Sequence, residues 1–332
     1  MPADLAVVLD TILLRENRDY CRGTRIHHST QSLLDNITEF YDMESVSFLH
    51  PSSFLDGDEV YSLKGDEFKI DEKASFEADK LLIFSINSDK SFFNKQYWEN
   101  VFSSFKKRED SFGRIINPLD SIYRTTNKRL LYDNVVAKRE LPKKYDVENS
   151  YELANLLKEK EELILKSDVG SIGVNVTKLT SEDESKINLF NPREYFIQEL
   201  VNNVAEKRFM VFGDDLVAAR IIHDRDVPWN STYSPVSNAS LKTSYVPSKA
   251  EREKVLKVHK STGLDYSGID YLVDKNGKDV LLEINAICPV LNSVRYPEKG
   301  NIYELGEQFV SFIKGLENEK ESISDSYIFE NK

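Results

Sequence analysis

The chain has 332 residues, with 44 Lys plus Arg against 56 Asp plus Glu and a formal net charge of −12. That balance argues against a general nucleic-acid binder, which needs a basic face to displace counterions, and leaves room only for a local basic groove. Hydrophobic residues at 40%, charged residues at 30% and only two cysteines, Cys21 and Cys288, fit a soluble enzyme of two or three units in a reducing compartment and exclude a disulfide framework.

The start, Met1-Pro2-Ala3-Asp4, lacks the basic and apolar regions of a signal peptide. No apolar run approaches the roughly 20 residues that span a bilayer, so the expected location is the cytoplasm, with no membrane partner. Ala6 to Leu9, Ser45 to Leu49 and Lys80 to Ile86 read as strands. Between the first two, Leu33, Leu34, Ile37 and Phe40 recur at helical spacing over Ser29 to Tyr41. Strand, helix, strand predicts a small α/β unit over the first third.

Ile115-Ile116-Asn117-Pro118 ends a strand and opens a helix that carries Asn127 and Lys128. Lys138 to Asn149 is a polar connector, and Ser150 is placed as the N-cap of a helix through Leu157. Ile164-Leu165-Lys166 is a strand leading into a glycine-containing turn, Gly170-Ser171-Ile172-Gly173. Thr180 to Lys186 reads as a loop before a strand at Tyr195 to Gln198. Arg208 to Phe212 and Leu216 to Ile222 flank Gly213-Asp214-Asp215 as a hairpin whose register the turn does not fix. Asp224 to Pro247, with Trp229, Asn230 and Tyr233, is expected to be a loop over a site. Ser248 caps a helix to about Ser261, with Ala250, Val255, Leu256 and Val258 as its apolar positions. Beyond Leu316 the tail is charged and polar and is expected to fray or be disordered.

The most informative stretch is Gly268 to Asn285, GIDYLVDKNGKDVLLEIN. Asn276-Gly277 is a strong hairpin signal, because both central residues of a type I′ turn need positive φ. Taking them as the two turn residues pairs Lys275 with Lys278, Asp270 with Glu283 and Gly268 with Asn285. Residues two apart on a strand share a face, as do cross-strand partners, so Asp270, Glu283 and Asn285 converge. Leu281 falls on that face too in this count. The two acidic Cβ atoms would lie roughly 5 Å apart, where carboxylates repel. A hard cation removes that penalty, and two carboxylates with an amide oxygen suit Mg²⁺, usually completed by water and substrate phosphates. The competing reading is a solvent-facing hairpin with scattered acids.

A magnesium site of this kind wants a phosphate substrate. Lys166, at a strand end beside the Gly170 to Gly173 loop, can pair with a phosphate while backbone N–H groups approach the anion. Taken alone it reads more readily as a surface lysine before a turn, and Lys128 carries still less signal. No Gly-Lys-Ser/Thr follows, so this is not a P-loop. Tyr195 to Leu200 offers a strand edge for a base, and Glu206 could accept from ribose hydroxyls. Arg208 and Arg220, on the two arms of one hairpin, have the planar fork that suits carboxylate or phosphate.

The order of these pieces resembles the ATP-grasp superfamily, in particular the branch of RimK-type ligases, glutathione synthetases and graspetide (microviridin-type) peptide macrocyclases. The matching text runs from IINP…NK through LILKSDVGSIG and YFIQEL…EKRFMVFGDDLVAAR to LDYSGIDYLV…VLLEIN, roughly Ile115 to Asn292. The resemblance implies an α/β ATP-grasp fold of three units: an N-terminal α/β domain over 1–118, a small lid domain over 119–200, and a catalytic α+β domain with a polar tail over 201–332. It implies ATP and Mg²⁺ as the bound groups. Lys128 and Lys166 would hold phosphates under a lid containing Gly170, Ser171, Ile172 and Gly173. Gln198, Glu199 and Leu200 would form the adenine hinge, and Glu206 would bind ribose. Glu206-Lys207-Arg208 is similar to an Asp-x-Arg element, Arg220 would face the acyl phosphate or acceptor, and Asp270, Glu283 and Asn285 match the magnesium ligands. The chain departs from the family after Asn285, where Ala286-Ile287-Cys288-Pro289 replaces a common Pro-Gly, and 224–247 lacks the Arg-rich text of RimK-type ligases.

The activity implied is ATP-dependent ligation of a carboxylate to an amine or hydroxyl through an acyl phosphate. The substrate would be a precursor peptide or, alternatively, a free amino acid or small peptide. A kinase on the same scaffold and an ATP-binding module without turnover are the readings of other classes. Nucleic acid is not an expected partner, and a homodimer is left open.

Overall fold

Described in the computed structural model of the protein are residues 3–8, 33, 36–37, 39–49, 51–55, 61–64, 67–70, 76–84, 95–134, 140–169, 176–223, 240–287 and 303–316. Three sheets follow one another along the chain. The first has the order β4-β3-β2-β1-β5-β6. Its strands are β1 (Ala3–Val8), β2 (Val46–Leu49), β3 (Tyr61–Lys64), β4 (Glu67–Ile70), β5 (Ala78–Ile83) and β6 (Phe112–Ile116). The central run β2-β1-β5-β6 is parallel. Helical residues at Leu33 and Ile37 cover one face of β1, as the spacing predicts, and both are buried.

Helix α1 (Ser52–Leu55) and helix α2 (Lys95–Lys107) belong to this first unit. Trp98, Val101, Phe102 and Phe105 of α2 are buried at i, i+3, i+4 and i+7, a helical face in a stretch where the sequence reading names no element. Helix α3 (Leu119–Thr126) follows β6, and helix α4 (Lys128–Asn134) begins two residues after it ends. The single helix expected through Asn127 and Lys128 is therefore two: extended backbone at Asn127 breaks it, and the Asn127 side chain accepts from the amides of Arg129 and Leu130 to start the second.

The second sheet has the order β7-β10-β8-β9 and is antiparallel throughout. It comprises β7 (Lys144–Tyr145), β8 (Glu162–Ser167), β9 (Val176–Thr180) and β10 (Tyr195–Glu199). The supposed connector thus contributes an edge strand. Helix α5 (Ser150–Lys160) is capped by Asn149, whose side chain accepts from the Glu152 amide, so the cap sits one residue before Ser150. The segment after Thr180 carries a short helix α6 (Glu184–Asn188) where a loop was expected. Leu153, Leu157, Leu163, Leu179, Ile187 and Ile197 give this unit a core of its own.

The third sheet, β13-β12-β11-β14-β15, is antiparallel. Its strands are β11 (Asn203–Phe212), β12 (Asp215–His223), β13 (Ser240–Ser244), β14 (Tyr266–Asp274) and β15 (Asp279–Asn285). Phe212 pairs with Asp215 across Gly213-Asp214, and φ of +58° at Gly213 supplies the left-handed residue that so tight a turn needs. Part of the expected 224–247 loop is strand β13; residues 224–239, with Trp229, Asn230 and Tyr233, lie outside the described residues, as does the tail beyond Leu316. Helix α7 (Lys249–Thr262) starts at a Ser248–Glu251 capping box and ends at Gly263, φ +70°. Val255 and Val258 are buried on it, Leu256 is partly buried, and Ala250 faces outward. Helix α8 (Tyr303–Gly315) places Phe309, Val310 and Ile313 against β1, β5 and β14.

The first and third sheets share their cores. One cluster runs from Leu81, Phe105 and Ile122 to Phe209, Ile269, Tyr271 and Leu281; another joins Leu5, Val7 and Leu82 to Met210, Tyr266 and Phe309. Arg114 and Asp265 form an ion pair between the two sheets. Among the described residues no helix is long and apolar enough to cross a membrane.

Candidate active site

The β14–β15 hairpin pairs Gly268 with Asn285 and Asp270 with Glu283, the register expected, but it reaches that register by a different path. Near the turn Val273 pairs with Asp279, and the Asp274 amide donates to Lys278 O. The loop is therefore three residues, Lys275-Asn276-Gly277, with φ +80° at Gly277 only. The Asp274 carboxylate accepts from the amides of Asn276 and Lys278 and holds the loop shut. The register shifts by one between Asp270 and Tyr271, where Leu282 is the extra residue of a bulge. Turn and bulge cancel. The bulge also sends Leu281, paired with Tyr271, into the core on the face opposite Glu283, correcting the face expected for it.

Asp270, Glu283 and Asn285 do converge. Asn285 Nδ2 donates to Asp270 Oδ2 at 3.0 Å and to Glu283 Oε1 at 3.3 Å. Arg208, directly across from Asp270 on β11, closes a two-pronged pair: Nε to Oδ1 and a terminal nitrogen to Oδ2, both 2.6 Å. Asp270 is only 7% exposed, and its burial, with Glu283 and Glu206 nearby, raises its carboxyl despite the Arg208 charge. Burial would raise Glu283 as well, but Lys128, Lys166 and Arg208 outweigh it and hold that group below its ordinary range. Among the described residues no three His, Cys, Asp or Glu side chains gather; the trio is two carboxylates and an amide.

Lys128 and Lys166 both face Glu283. Lys166 is buried on β8, and burial drives its ammonium down to about 8; Glu283 pulls against that and Lys128 adds to it. Burial lowers Lys128 too, with Glu283 and Asp168 opposing. Lys128 and Glu283 line a small cleft together with Trp98, Thr126, Asn285 and Ile287. The main-chain amide of Lys128 donates to Asp168 O at 2.7 Å. Arg129 locks the same place: its Nε donates to Asp168 Oδ1 at 2.9 Å and its terminal nitrogen to Pro192 O and Tyr195 O.

The expected hinge residues lie at the end of β10 and just after it. Buried Gln198, at the end of β10, accepts from the Tyr132 hydroxyl at 3.4 Å. Glu199 exchanges two bonds with the Lys143 main chain, and Leu200 follows on the way to β11. Glu206 lies on the Arg208 face of β11, two residues earlier. Arg220 pairs with Lys207, one residue out of step with Arg208, and its side chain is outside the described residues. Gly170, Ser171, Ile172 and Gly173 also lie outside them.

Three residues that the sequence reading passed over position the site. Asp168 and Arg129 make the lock just described. Asn117, fully buried after β6, donates to Tyr266 O and Ala286 O and accepts from the amides of Asp265 and Tyr266. It pins both the start of β14 and the residue after Asn285.

Lys128 and Lys166 thus face Glu283 where the second and third sheets meet. Residues 128–302, more than half of the chain, match the RimK-like ATP-grasp domain. The chain belongs to the RimK-like ATP-grasp family. Its fold is the ATP-grasp fold, with mixed parallel and antiparallel sheets. Macrocyclase MdnC bound with precursor peptide MdnA, from Microcystis aeruginosa MRC, matches at TM-score 0.61 and 14% identity, over 92% of this chain and 98% of that one. ATP-grasp ligase PsnB complexed with a minimal precursor matches at TM-score 0.61 and 17% identity, over 95% and 99%. D-cycloserine synthetase DcsG matches at TM-score 0.62 and 13% identity, over 92% and 98%. No curated protein sequence matches the chain.

Proposed function

We propose that this ATP-grasp chain is an ATP-dependent ligase that joins an acidic side chain of a precursor peptide to an amine or hydroxyl, releasing ADP and phosphate. The observation that carries this reading is the convergence of Lys128 and Lys166 on Glu283, beside Asp270 and Asn285. Two cations for phosphate stand next to oxygen ligands for a hard metal. The precursor peptides bound by MdnC and PsnB support a peptide substrate.

The trio fits Mg²⁺ by its chemistry: two carboxylates and an amide, buried together, with Glu283 held ionised. Bound there, Mg²⁺ would neutralise charge on the phosphates. Lys128 and Lys166 pair with phosphate oxygens and hold the triphosphate in line with the carboxylate. The main chain at Gln198, Glu199 and Leu200 reads the adenine edge, and Glu206 accepts from ribose hydroxyls. Arg208 is assigned to the transferred phosphoryl group and Arg220 to the acceptor side. Residues 1–118, 119–200 and 201–332 form the three units. The separate core of the second sheet supports its moving as a body over ATP, with 170–173 as the closing loop that keeps water from the intermediate.

In the reaction a carboxylate oxygen attacks the γ-phosphorus, the bond to the bridging oxygen of ADP breaks, and an acyl phosphate forms. The acceptor amine or hydroxyl then attacks the carbonyl carbon, phosphate leaves, and the acceptor proton is released. Each bond formed removes the mass of one water from the substrate. The likeness to DcsG supports a second reading, a free amino acid or small peptide as substrate.

The test is incubation of the full chain with ATP, Mg²⁺ and synthetic peptides carrying acidic side chains with Lys, Ser or Thr, read by mass. Loss of one water per ADP formed supports the peptide reading. ADP formation that needs free amino acids selects the second reading. Phosphorylated peptide without water loss indicates a kinase, and no ADP release at all indicates a binding module.

A further inference from the structure

Both oxygens of the Asp270 carboxylate are engaged, and three of its roughly four lone-pair positions are taken. The Arg208 fork takes one oxygen at each prong, and Asn285 Nδ2 adds a third bond on Oδ2. The same amide nitrogen reaches Glu283, so the Asn285 carboxamide turns its donor, not its oxygen, toward both acids. The two opposed carboxylates need positive charge and N–H donors around them, since burying such a pair uncompensated is strongly unfavourable. A guanidinium and an amide supply both. A divalent cation at an Asp270 oxygen would sit about 2.0–2.1 Å from it, in space the fork now holds, and would repel the guanidinium.

We infer that Arg208 is a placeholder for the metal: it occupies Asp270 while nucleotide is absent and leaves it for the phosphates when nucleotide and cation arrive together, with Asn285 turning its amide oxygen inward. This rests on the magnesium site proposed above and adds an order of events to it. Arg208 thereby couples two binding steps. A cation alone must displace the fork from its two bonds to Asp270 and brings no anion to replace them. With nucleotide present, the planar fork trades one anion for another, a phosphate that it fits equally well. The acids stay shielded in the resting chain, and a bare cation is discriminated against.

The experiment counts free Mn²⁺ by electron paramagnetic resonance, titrating the full chain with and without ADP. For the native sequence we expect weak Mn²⁺ retention alone and a large gain with ADP. Arg208→Gln should tighten ADP-free Mn²⁺ binding on the order of tenfold to a hundredfold, the worth of charge-assisted hydrogen bonds removed from the competitor, and the ADP-linked gain should shrink to match. Arg208→Lys keeps the charge but loses the fork and should fall between; it also serves if the Gln variant fails to fold. Lys207→Gln removes the charge next to Arg208 in β11, where Lys207 meets Glu251 and Asp279 and not Asp270, and should leave both the weak ADP-free retention and the large ADP-linked gain. Equal ADP-free Mn²⁺ affinity in the native chain, Arg208→Gln and Arg208→Lys overturns the inference, as does a rise in ADP-free Mn²⁺ affinity in Lys207→Gln as large as in Arg208→Gln. Absence of ADP-dependent Mn²⁺ binding in every protein, with ADP itself bound, overturns the metal site as well.

Discussion

The main-chain amide of Lys128 donates to the carbonyl oxygen of Asp168 at 2.7 Å, tying the start of helix α4 to the end of strand β8. The Asp168 carboxylate, 2% exposed, then takes Arg129 at 2.8 Å, and Lys95 adds a contact at 3.4 Å. One residue thus holds the lysine of α4 and the lysine of β8 at a fixed separation. Asp168→Asn keeps the shape and loses the charge. We expect it to cost roughly 1–3 kcal/mol in urea unfolding, less than a fully buried pair because Arg129 is partly exposed. ADP affinity, measured by calorimetry, should fall about tenfold, because phosphate then has to order the two lysines itself.

In the proposed site, Lys166 would give nucleotide binding a defined pH dependence. Its ammonium is lowered to about 8 from 10.5 by burial. Phosphate favours the charged form. ADP binding should therefore take up protons as the pH rises through about 8, with little uptake well below it, and affinity should decline across that window. Without nucleotide the sign reverses: between about 8 and 10.5 the folded chain holds fewer protons than the unfolded one, so this group makes stability rise with pH. Lys166→Met should abolish the proton uptake, measured by calorimetry in buffers of different ionisation enthalpy.

Asn117 has four hydrogen bonds to main-chain groups of the third sheet. Asn117→Ala leaves those groups buried without partners. We expect a loss of roughly 2–4 kcal/mol in chemical denaturation. Asn117→Asp should be nearly as harmful, because a carboxylate cannot donate to Tyr266 O or Ala286 O.

Glu251 anchors helix α7 and the end of β13. It receives Lys207 at 2.7 Å, the Tyr245 hydroxyl at 2.6 Å and the Ser248 amide at 3.0 Å. Burial would raise its carboxyl, but these donors hold it at about 2 against the ordinary 4.5. Its folded value is depressed, so its contribution is complete above about 4.5 and is lost as the pH falls toward 2. Glu251→Gln should cost roughly 1–3 kcal/mol at neutral pH and flatten the acid side of the stability profile, read by thermal melts from pH 6 to 2.

The opposition of Asp270 and Glu283 is legible in the sequence because alternation survives along a strand pair and Asn276-Gly277 marks the bend. The path to it is not legible. A three-residue loop and a bulge at Leu282 each shift the register by one, and a bulge leaves no mark in residue order; Leu281 consequently faces the core. The helix over Trp98 to Phe105 carries a plain apolar period, obscured by the charged text around it. The Arg129–Asp168 lock and the bonds of Asn117 join residues 39 to 169 positions apart, so local pattern carries no trace of them. The break at Asn127, by contrast, follows from a side chain that caps the next helix, a local signal of a familiar kind.

Glu283 stands between Lys128 and Lys166 on one side and Asp270 and Asn285 on the other. The decisive measurement is turnover of Glu283→Gln, a change of one atom type, with ADP release and peptide mass followed together and folding checked by circular dichroism. The account predicts a folded protein that forms neither ADP nor dehydrated peptide at a detectable rate. A folded Glu283→Gln protein with near-normal turnover would contradict it.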